Sequence, residues 1–126
     1  NTIIYSEMGP KGGDEINRIL TNTNEIPHYG WPIASHGTFY GFESTEIRKN
    51  IMKYKNHEDN GYVEPILVFE PSIGPSEVVR AKYKSDKSFL VSSLKNRSLY
   101  EFEYLKNRKN TGIILLNNHS NLENFN

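Results

Sequence analysis

The chain has 126 residues, no cysteine, and 15 basic residues balanced by 15 acidic ones. This length suits one domain with a single hydrophobic core, and the absence of cysteine excludes disulfides, cysteine-based zinc sites and a cysteine nucleophile. The zero formal charge excludes a global field that would attract nucleic acid or an anionic membrane, so any nucleic-acid binding must use a local patch.

The chain begins at Asn1 rather than at a methionine. No apolar run approaches the ~18 residues that a membrane-spanning helix requires. We therefore expect residues 1–126 to form a single domain, and this domain to be the C-terminal module of a longer protein.

The first half of the sequence predicts two helices. Asp14 can cap a short first helix, whose apolar stripe would consist of Ile16, Ile19 and Leu20. Residues 21–32 are rich in Asn, Thr, Pro and Gly and predict a long loop. Ser44 or Thr45 can cap a second helix that ends near Lys55.

The second half predicts antiparallel strands separated by polar turns. The apolar or alternating segments are 65–69, 78–84, 89–93, 99–105 and 112–116. In the second of these, period-two alternation places Arg80 and Lys82 on the face opposite Val79. The sequence thus predicts an α+β fold, with N-terminal helices packed on one face of an antiparallel meander of about five strands.

The segment Ser35-His36-Gly37-Thr38 concentrates reactive side chains between a proline-containing loop and a predicted helix start. Histidine titrates near neutral pH, and glycine lets a substrate approach the backbone closely. We expect His36 and Thr38 to contribute to a catalytic site. The alternative is a histidine that packs beneath the second helix.

The open face of the predicted sheet gathers cationic, hydroxyl and acidic side chains, and His119 could fold back beside them. Such a set can remove the 2′-hydroxyl proton of RNA, protonate the leaving oxygen and stabilise the charge on phosphorus. The predicted catalytic residues are His36, Thr38, Arg80, Lys82, Ser92, Glu101 and His119. The alternative for the charged members is ordinary cross-strand pairing of Arg80 and Lys82 with Glu101 and Glu103.

Aromatic side chains in and after the long loop could stack on a nucleic-acid base. The predicted substrate-binding residues are His28, Tyr29, Trp31 and Tyr40, although the loop members could equally cover the edge of the core. The four histidines have no spacing typical of metal ligands, so neither a metal nor another cofactor is expected.

The layout of N-terminal helices followed by an antiparallel meander resembles the ribonuclease superfamily that includes barnase, EndoU, the tRNA-cleaving colicins and RelE. Its members include C-terminal toxin domains of contact-dependent growth inhibition systems and other polymorphic toxins. The resemblance implies a metal-independent ribonuclease that cleaves tRNA in the cytoplasm of a target cell after secretion or delivery from a cell surface. Its implied partners are RNA and a cognate immunity protein, with no membrane. Many ribonucleases of this kind are basic, so the zero net charge either puts the substrate in doubt or implies a host protein that recruits it.

Two other functions compete with this prediction. His36-Gly37-Thr38 is similar to the H-G-T motif with which many ADP-ribosyltransferases hold NAD, and Glu101-Phe102-Glu103 is similar to the E-x-E motif of their arginine-modifying branch. This second resemblance implies an NAD-dependent transferase toxin. A third possibility is a non-enzymatic binding or immunity-type module that uses the stripe Tyr100, Phe102 and Tyr104, although that stripe also suits the core face of a strand.

Overall fold

The computed structural model describes residues 1–9, 13–31, 34–35, 38–39, 58–83, 85–104 and 113–117, and these residues contain β-strands but no α-helix. All strand pairs among them are antiparallel. The elements are β1 (Thr2–Glu7), β2 (Asp14–Leu20), β3 (Ala34–Ser35), β4 (Thr38–Phe39), a 3₁₀ turn (Glu58–Asn60), β5 (Leu67–Phe69), β6 (Pro75–Arg80), β7 (Ser88–Ser93), β8 (Ser98–Glu103) and β9 (Ile113–Asn117). The predicted α+β fold with N-terminal helices is therefore wrong, because the described chain is built from antiparallel sheets.

A three-stranded sheet forms where the first helix was expected. Its strand order is β1-β2-β5, and β1 pairs with β2 from Thr2 opposite Leu20 to Glu7 opposite Glu15. Residues 14–20 alternate between a core face that carries the fully buried Ile16 and a second face that carries Glu15, Asn17 and Ile19. The helix-like spacing of the apolar residues was therefore coincidental, because strand pairing on both sides decides the conformation.

The second sheet is a four-stranded meander with the order β6-β7-β8-β9. It contains four of the five predicted strands. The segment 65–69 supplies the fifth, β5, which pairs with β2 rather than continuing into β6. The predicted second helix and its caps at Ser44 or Thr45 lie outside the described residues.

The hydrophobic core lies between the two larger sheets. It unites Ile16, Leu67 and Phe69 from the first sheet with Phe89, Val91 and Phe102 from the second, and Ile73 from the segment between them. Phe89 and Phe102 stack with ring centroids 5.5 Å apart, and Phe69 contacts Tyr100 at the same centroid distance. Burying each such side chain stabilises the fold by about 1.5–3 kcal/mol, so these contacts hold the sheets face to face.

A fully buried carboxylate connects the two sheets at one end. Asp14, the first residue of β2, accepts hydrogen bonds from the backbone amides of Ile73 and Gly74 and from the Ser72 hydroxyl, all through Oδ2. Its Oδ1 accepts a hydrogen bond from the Gly9 amide at 2.8 Å. Since charge-assisted hydrogen bonds are about twice as strong as neutral ones, Asp14 fixes the hairpin β1-β2 relative to the chain that enters β6.

Candidate functional site

The structure does not bring the predicted cationic and acidic residues of the second sheet together. Arg80 pairs with Phe89 and lies 5.8 Å from the centroid of that ring, on the core face of the sheet. Ser92 and Glu101 occupy the opposite face, because Glu101 pairs with Leu90 and Ser92 follows Leu90 by two residues. Lys82 is exposed beyond the end of β6.

The predicted sheet site also differs in exposure from what was expected. Glu101 is only 3% exposed, so its face of the sheet is not open to solvent at this position. Glu101 therefore lies on the opposite face of the sheet from Arg80, with which it was expected to act.

The segment Ser35-His36-Gly37-Thr38 is described at its two ends. Ser35 in β3 pairs with Thr38 in β4, so the backbone turns back on itself here. His36 lies outside the described residues, as do the other predicted site residues Tyr40 and His119. Their catalytic and binding roles stay predictions.

The aromatic loop residues contact other parts of the protein. The His28 ring stacks on Tyr62 with centroids 4.8 Å apart, and its Nδ1 accepts a hydrogen bond from the Gly30 amide at 2.9 Å. The Tyr29 hydroxyl donates to the Arg18 carbonyl oxygen. Trp31 is half exposed. The loop covers part of the first sheet, and its predicted role in substrate stacking is not tested by these contacts.

A polar cluster on the first sheet is the strongest candidate for a functional site. Tyr5 and Glu7 of β1 lie directly opposite Asn17 and Glu15 of β2, on the face that points away from the core. Glu15 and Asn17 are fully buried, whereas Glu7 is partly exposed. Directly opposed side chains on antiparallel strands have Cβ atoms about 4.5–5.5 Å apart, so two carboxyl groups face each other here.

The Asn17 carboxamide lies beside both acidic side chains. Its Nδ2 donates a hydrogen bond to Glu15 Oε2 at 3.0 Å, and Glu7 lies next to it on the same face of the sheet. Asn17 Oδ1 is buried and accepts no hydrogen bond in the described part of the chain. A buried acceptor with unused capacity is uncommon, and water or a hydroxyl group is the usual partner of such an atom.

The surroundings of Glu7 favour its protonated form. Burial raises the pKa of the Glu7 carboxyl and the nearby Glu15 raises it further, while the hydrogen bond from Asn17 acts in the opposite direction. Burial also raises the pKa of Tyr5, and the neighbouring Tyr29, Glu7 and Glu15 add to this effect. A carboxyl group with a raised pKa is a stronger base than usual when ionised, so Glu7 is suited to accept a proton from a hydroxyl group.

The sequence contains a signal for the hairpin that carries this cluster, but not for its register. Thr2, Ile3 and Ile4 are β-branched residues that favour a strand, and the short glycine-containing segment between 7 and 14 is typical of a hairpin. A hairpin with this register places Glu7 opposite Glu15. The described residues contain no group of three or more His, Asp or Glu side chains arranged to hold a metal ion.

Comparison with known proteins identifies a family that the sequence patterns did not suggest. A family model described as Glucose / Sorbosone dehydrogenase matches residues 1–121. The aldose sugar dehydrogenase YliI of Escherichia coli (strain K12) is 35% identical over 88 residues, which cover 69% of this chain and 20% of the relative. No solved structure matches the chain significantly.

These matches correct the predicted function. The ribonuclease toxin prediction is wrong, because the family model covers nearly the whole chain and describes sugar dehydrogenases. Neither the ADP-ribosyltransferase nor the binding-module alternative is supported. The expected RNA, immunity-protein and recruiting-protein partners lose their basis and stay untested, as does delivery outside the cell. The described residues include no helix that is long and apolar enough to cross a membrane.

Proposed function

The chain belongs to the glucose/sorbosone dehydrogenase family, and from this membership we propose that it is part of an oxidoreductase that oxidises an aldose sugar. The supporting observation is the family match over residues 1–121. The matched region is about one fifth of the length of the Escherichia coli relative. We therefore assign the proposed activity to the full-length natural protein.

Oxidation of an aldose at C1 breaks the C1–H and O1–H bonds and forms the carbonyl group of a lactone. The C1 hydrogen leaves with two electrons as a hydride equivalent, and the O1 proton passes to a base. Protein side chains do not accept a hydride, so the electron acceptor in this proposal is an organic redox cofactor of the natural protein. The protein must supply the base and the orientation of the sugar.

Within this chain we assign the role of the base to Glu7. Glu7 is partly exposed, so a small hydroxyl-bearing molecule can approach it, whereas Glu15 opposite it on β2 is fully buried. Its raised pKa, caused first by burial and then by Glu15, brings its proton affinity closer to that of a base working near neutral pH.

The proposed activity is tested with the full-length protein isolated from its natural host, so that a resident cofactor is retained. Aldoses are supplied with a two-electron dye, and dye reduction is compared with lactone or aldonic acid formation by NMR. We expect equal amounts of reduced dye and oxidised sugar. Failure to oxidise any aldose in a panel of hexoses and pentoses, with several dyes, would refute the proposed activity.

The assignment of the base is tested with Glu7→Gln, which keeps the shape of the side chain but cannot accept the proton. We expect kcat to fall by about 10²–10⁴-fold, the usual contribution of general-base catalysis. Glu103→Gln is the matched control, because Glu103 is exposed at the end of β8, and it should retain normal activity. Activity of Glu7→Gln within a few-fold of the natural protein would exclude Glu7 as the base.

A further inference from the structure

We propose that Asp14 is a positioning residue that holds the Glu7 and Glu15 carboxyl groups opposite each other. Its importance for catalysis rests on the proposed function, in which Glu7 is the base. The positioning itself follows from the hydrogen bonds around the β1-β2 hairpin.

The bond between the Gly9 amide and Asp14 Oδ1 closes the hairpin just beyond the carboxyl pair. The last paired residues of the hairpin are Glu7 and Glu15. Gly9 follows Glu7 by two residues, and Asp14 directly precedes Glu15. The terminal pair of a hairpin frays readily unless it is held by further bonds. Because both Gly9 and Asp14 are buried, water cannot easily replace this bond at 2.8 Å.

The second oxygen of Asp14 anchors the residue to the rest of the protein. Oδ2 accepts hydrogen bonds from Ser72 Oγ at 2.7 Å, from the Ile73 amide at 2.7 Å and from the Gly74 amide at 2.8 Å. The same segment is held to the β7-β8 turn, where the Leu94 amide donates to the Gly74 carbonyl oxygen. Asp14 therefore cannot move with the hairpin loop, and Gly9 is fixed relative to the second sheet.

The groups around Glu7 explain why its position matters. Among the described residues, Glu15 and Asn17 face it from β2, and Tyr5, which meets the edge of the Tyr29 ring at 5.7 Å between centroids, lies beside it on β1. Within the described part of the chain no cation lowers the pKa of Glu7, and the charged group that raises it is the Glu15 carboxyl. If Gly9 were released, Glu7 could move away from Glu15 and towards solvent, so repulsion and burial would both decrease.

Asp14→Asn separates the two functions of the carboxylate. The carboxamide of asparagine has one oxygen and one NH₂ group. The oxygen must face the Ser72 hydroxyl and the Ile73 and Gly74 amides, because all three are donors. The NH₂ group must then face the Gly9 amide, where two donors meet and no hydrogen bond forms. Ser72→Ala is the matched control, because it removes one donor from the anchoring oxygen and leaves the Gly9 bond in place.

The test measures the titration of Glu7 by NMR in protein labelled with ¹³C at the glutamate carboxyl groups, together with hydrogen exchange of the Gly9 amide. In Asp14→Asn we expect Gly9 to exchange at least about tenfold faster, the change caused by losing roughly 1.4 kcal/mol of protection. We also expect Glu7 to titrate at a lower pH than in the natural protein. Ser72→Ala should leave the Glu7 titration unchanged.

Gly9→Pro removes the same hydrogen bond from its donor side and serves if Asp14→Asn does not fold. Gly9 does not have a positive φ, so proline is compatible with the sign of its backbone angle. The same downward shift of the Glu7 titration is expected. An unchanged Glu7 titration in either variant, with the Gly9 bond lost, would overturn the proposal. The Glu7 titration needs no sugar. If the natural protein oxidised no aldose, the proposed function would therefore be refuted, whereas the test of Asp14 as a positioning residue would keep its meaning.

Discussion

Replacing Phe102 with alanine should cost more stability than truncating any other described core side chain of the second sheet. Phe102 is 1% exposed, pairs with Phe89 in β7, and stacks on its ring at a centroid distance of 5.5 Å. Truncation of a buried phenylalanine to alanine costs about 3–5 kcal/mol, because the transfer free energy is lost and a cavity remains. The part of this cost that belongs to the aromatic pair is about 0.5–1.5 kcal/mol.

The size of this effect decides how it is measured. Domains of this length have free energies of unfolding of about 5–15 kcal/mol, so Phe102→Ala could remove a large fraction of the total. Phe102→Leu, which leaves a smaller cavity, is therefore included so that a folded variant is available. Urea unfolding followed by circular dichroism gives the free energies, and a double-mutant cycle with Phe89→Leu isolates the ring contact.

The matched control is Tyr83→Ala, which removes an aromatic ring that is 73% exposed. We expect this variant to lie within about 0.5 kcal/mol of the natural protein, as is usual for surface substitutions. A cost for Phe102→Ala below about 1.5 kcal/mol, or equal to that of Tyr83→Ala, would refute the placement of the core between the two sheets.

Three further predictions concern single polar or backbone features. Asp14→Ala leaves the buried Gly9 and Ile73 amides without an acceptor, which costs about 1–3 kcal/mol for each amide, so the free energy of unfolding should fall by roughly 2–6 kcal/mol. The control Ser72→Ala should lower the free energy of unfolding by roughly 1 kcal/mol. Equal losses in the two variants would contradict the expectation. The pKa of Glu7 is raised on folding, so its favourable contribution is present below its unfolded pKa and is lost as pH rises through its folded pKa. Glu7→Gln should therefore become more stable relative to the natural protein as pH increases over that interval, as thermal melts at several pH values can show; a constant difference would count against the raised pKa. Gly61 has φ +79°, and no atom lies within 4 Å of the position that an added methyl group would occupy, so Gly61→Ala should cost only the backbone strain of about 1–2 kcal/mol. A loss above about 3 kcal/mol, measured by urea unfolding, would indicate a contact that the structure does not contain.

The alternation of polar and apolar residues correctly predicted which residues of several strands share a face. It did not predict which face is buried. In β8, Tyr100 and Phe102 share the core face as expected. In β6, Arg80 and Val79 lie on different faces of the sheet, as expected. The face of Arg80 is nevertheless the core face, because Val78 on that face packs on the core and Arg80 borders Phe89. Alternation states which residues lie together, whereas the neighbouring strand determines which side meets the core.

The carboxyl pair could not be found from local patterns alone. Glu7 and Glu15 are eight positions apart, and only the pairing of β1 with β2 places them opposite each other. The apolar spacing of Ile16, Ile19 and Leu20 fits a helix as well as a strand over so short a segment. Pairing with β1 and β5 resolves this ambiguity, and it involves residues up to Phe69, far outside the window that sequence periodicity examines.

The hydroxyl of Tyr29 occupies a backbone acceptor of β2 beyond the end of its described pairing with β5. β5 pairs with β2 only as far as Ile16, whose carbonyl oxygen accepts a hydrogen bond from the Ile66 amide. The Arg18 carbonyl, two residues further along β2, points to the same side and would otherwise offer an acceptor to an incoming strand. Tyr29 donates to this carbonyl, so a side chain from the loop occupies the position that a longer β5 would have filled. Tyr29→Phe would leave this carbonyl available to an incoming strand, so we expect that variant to aggregate more readily than the natural protein.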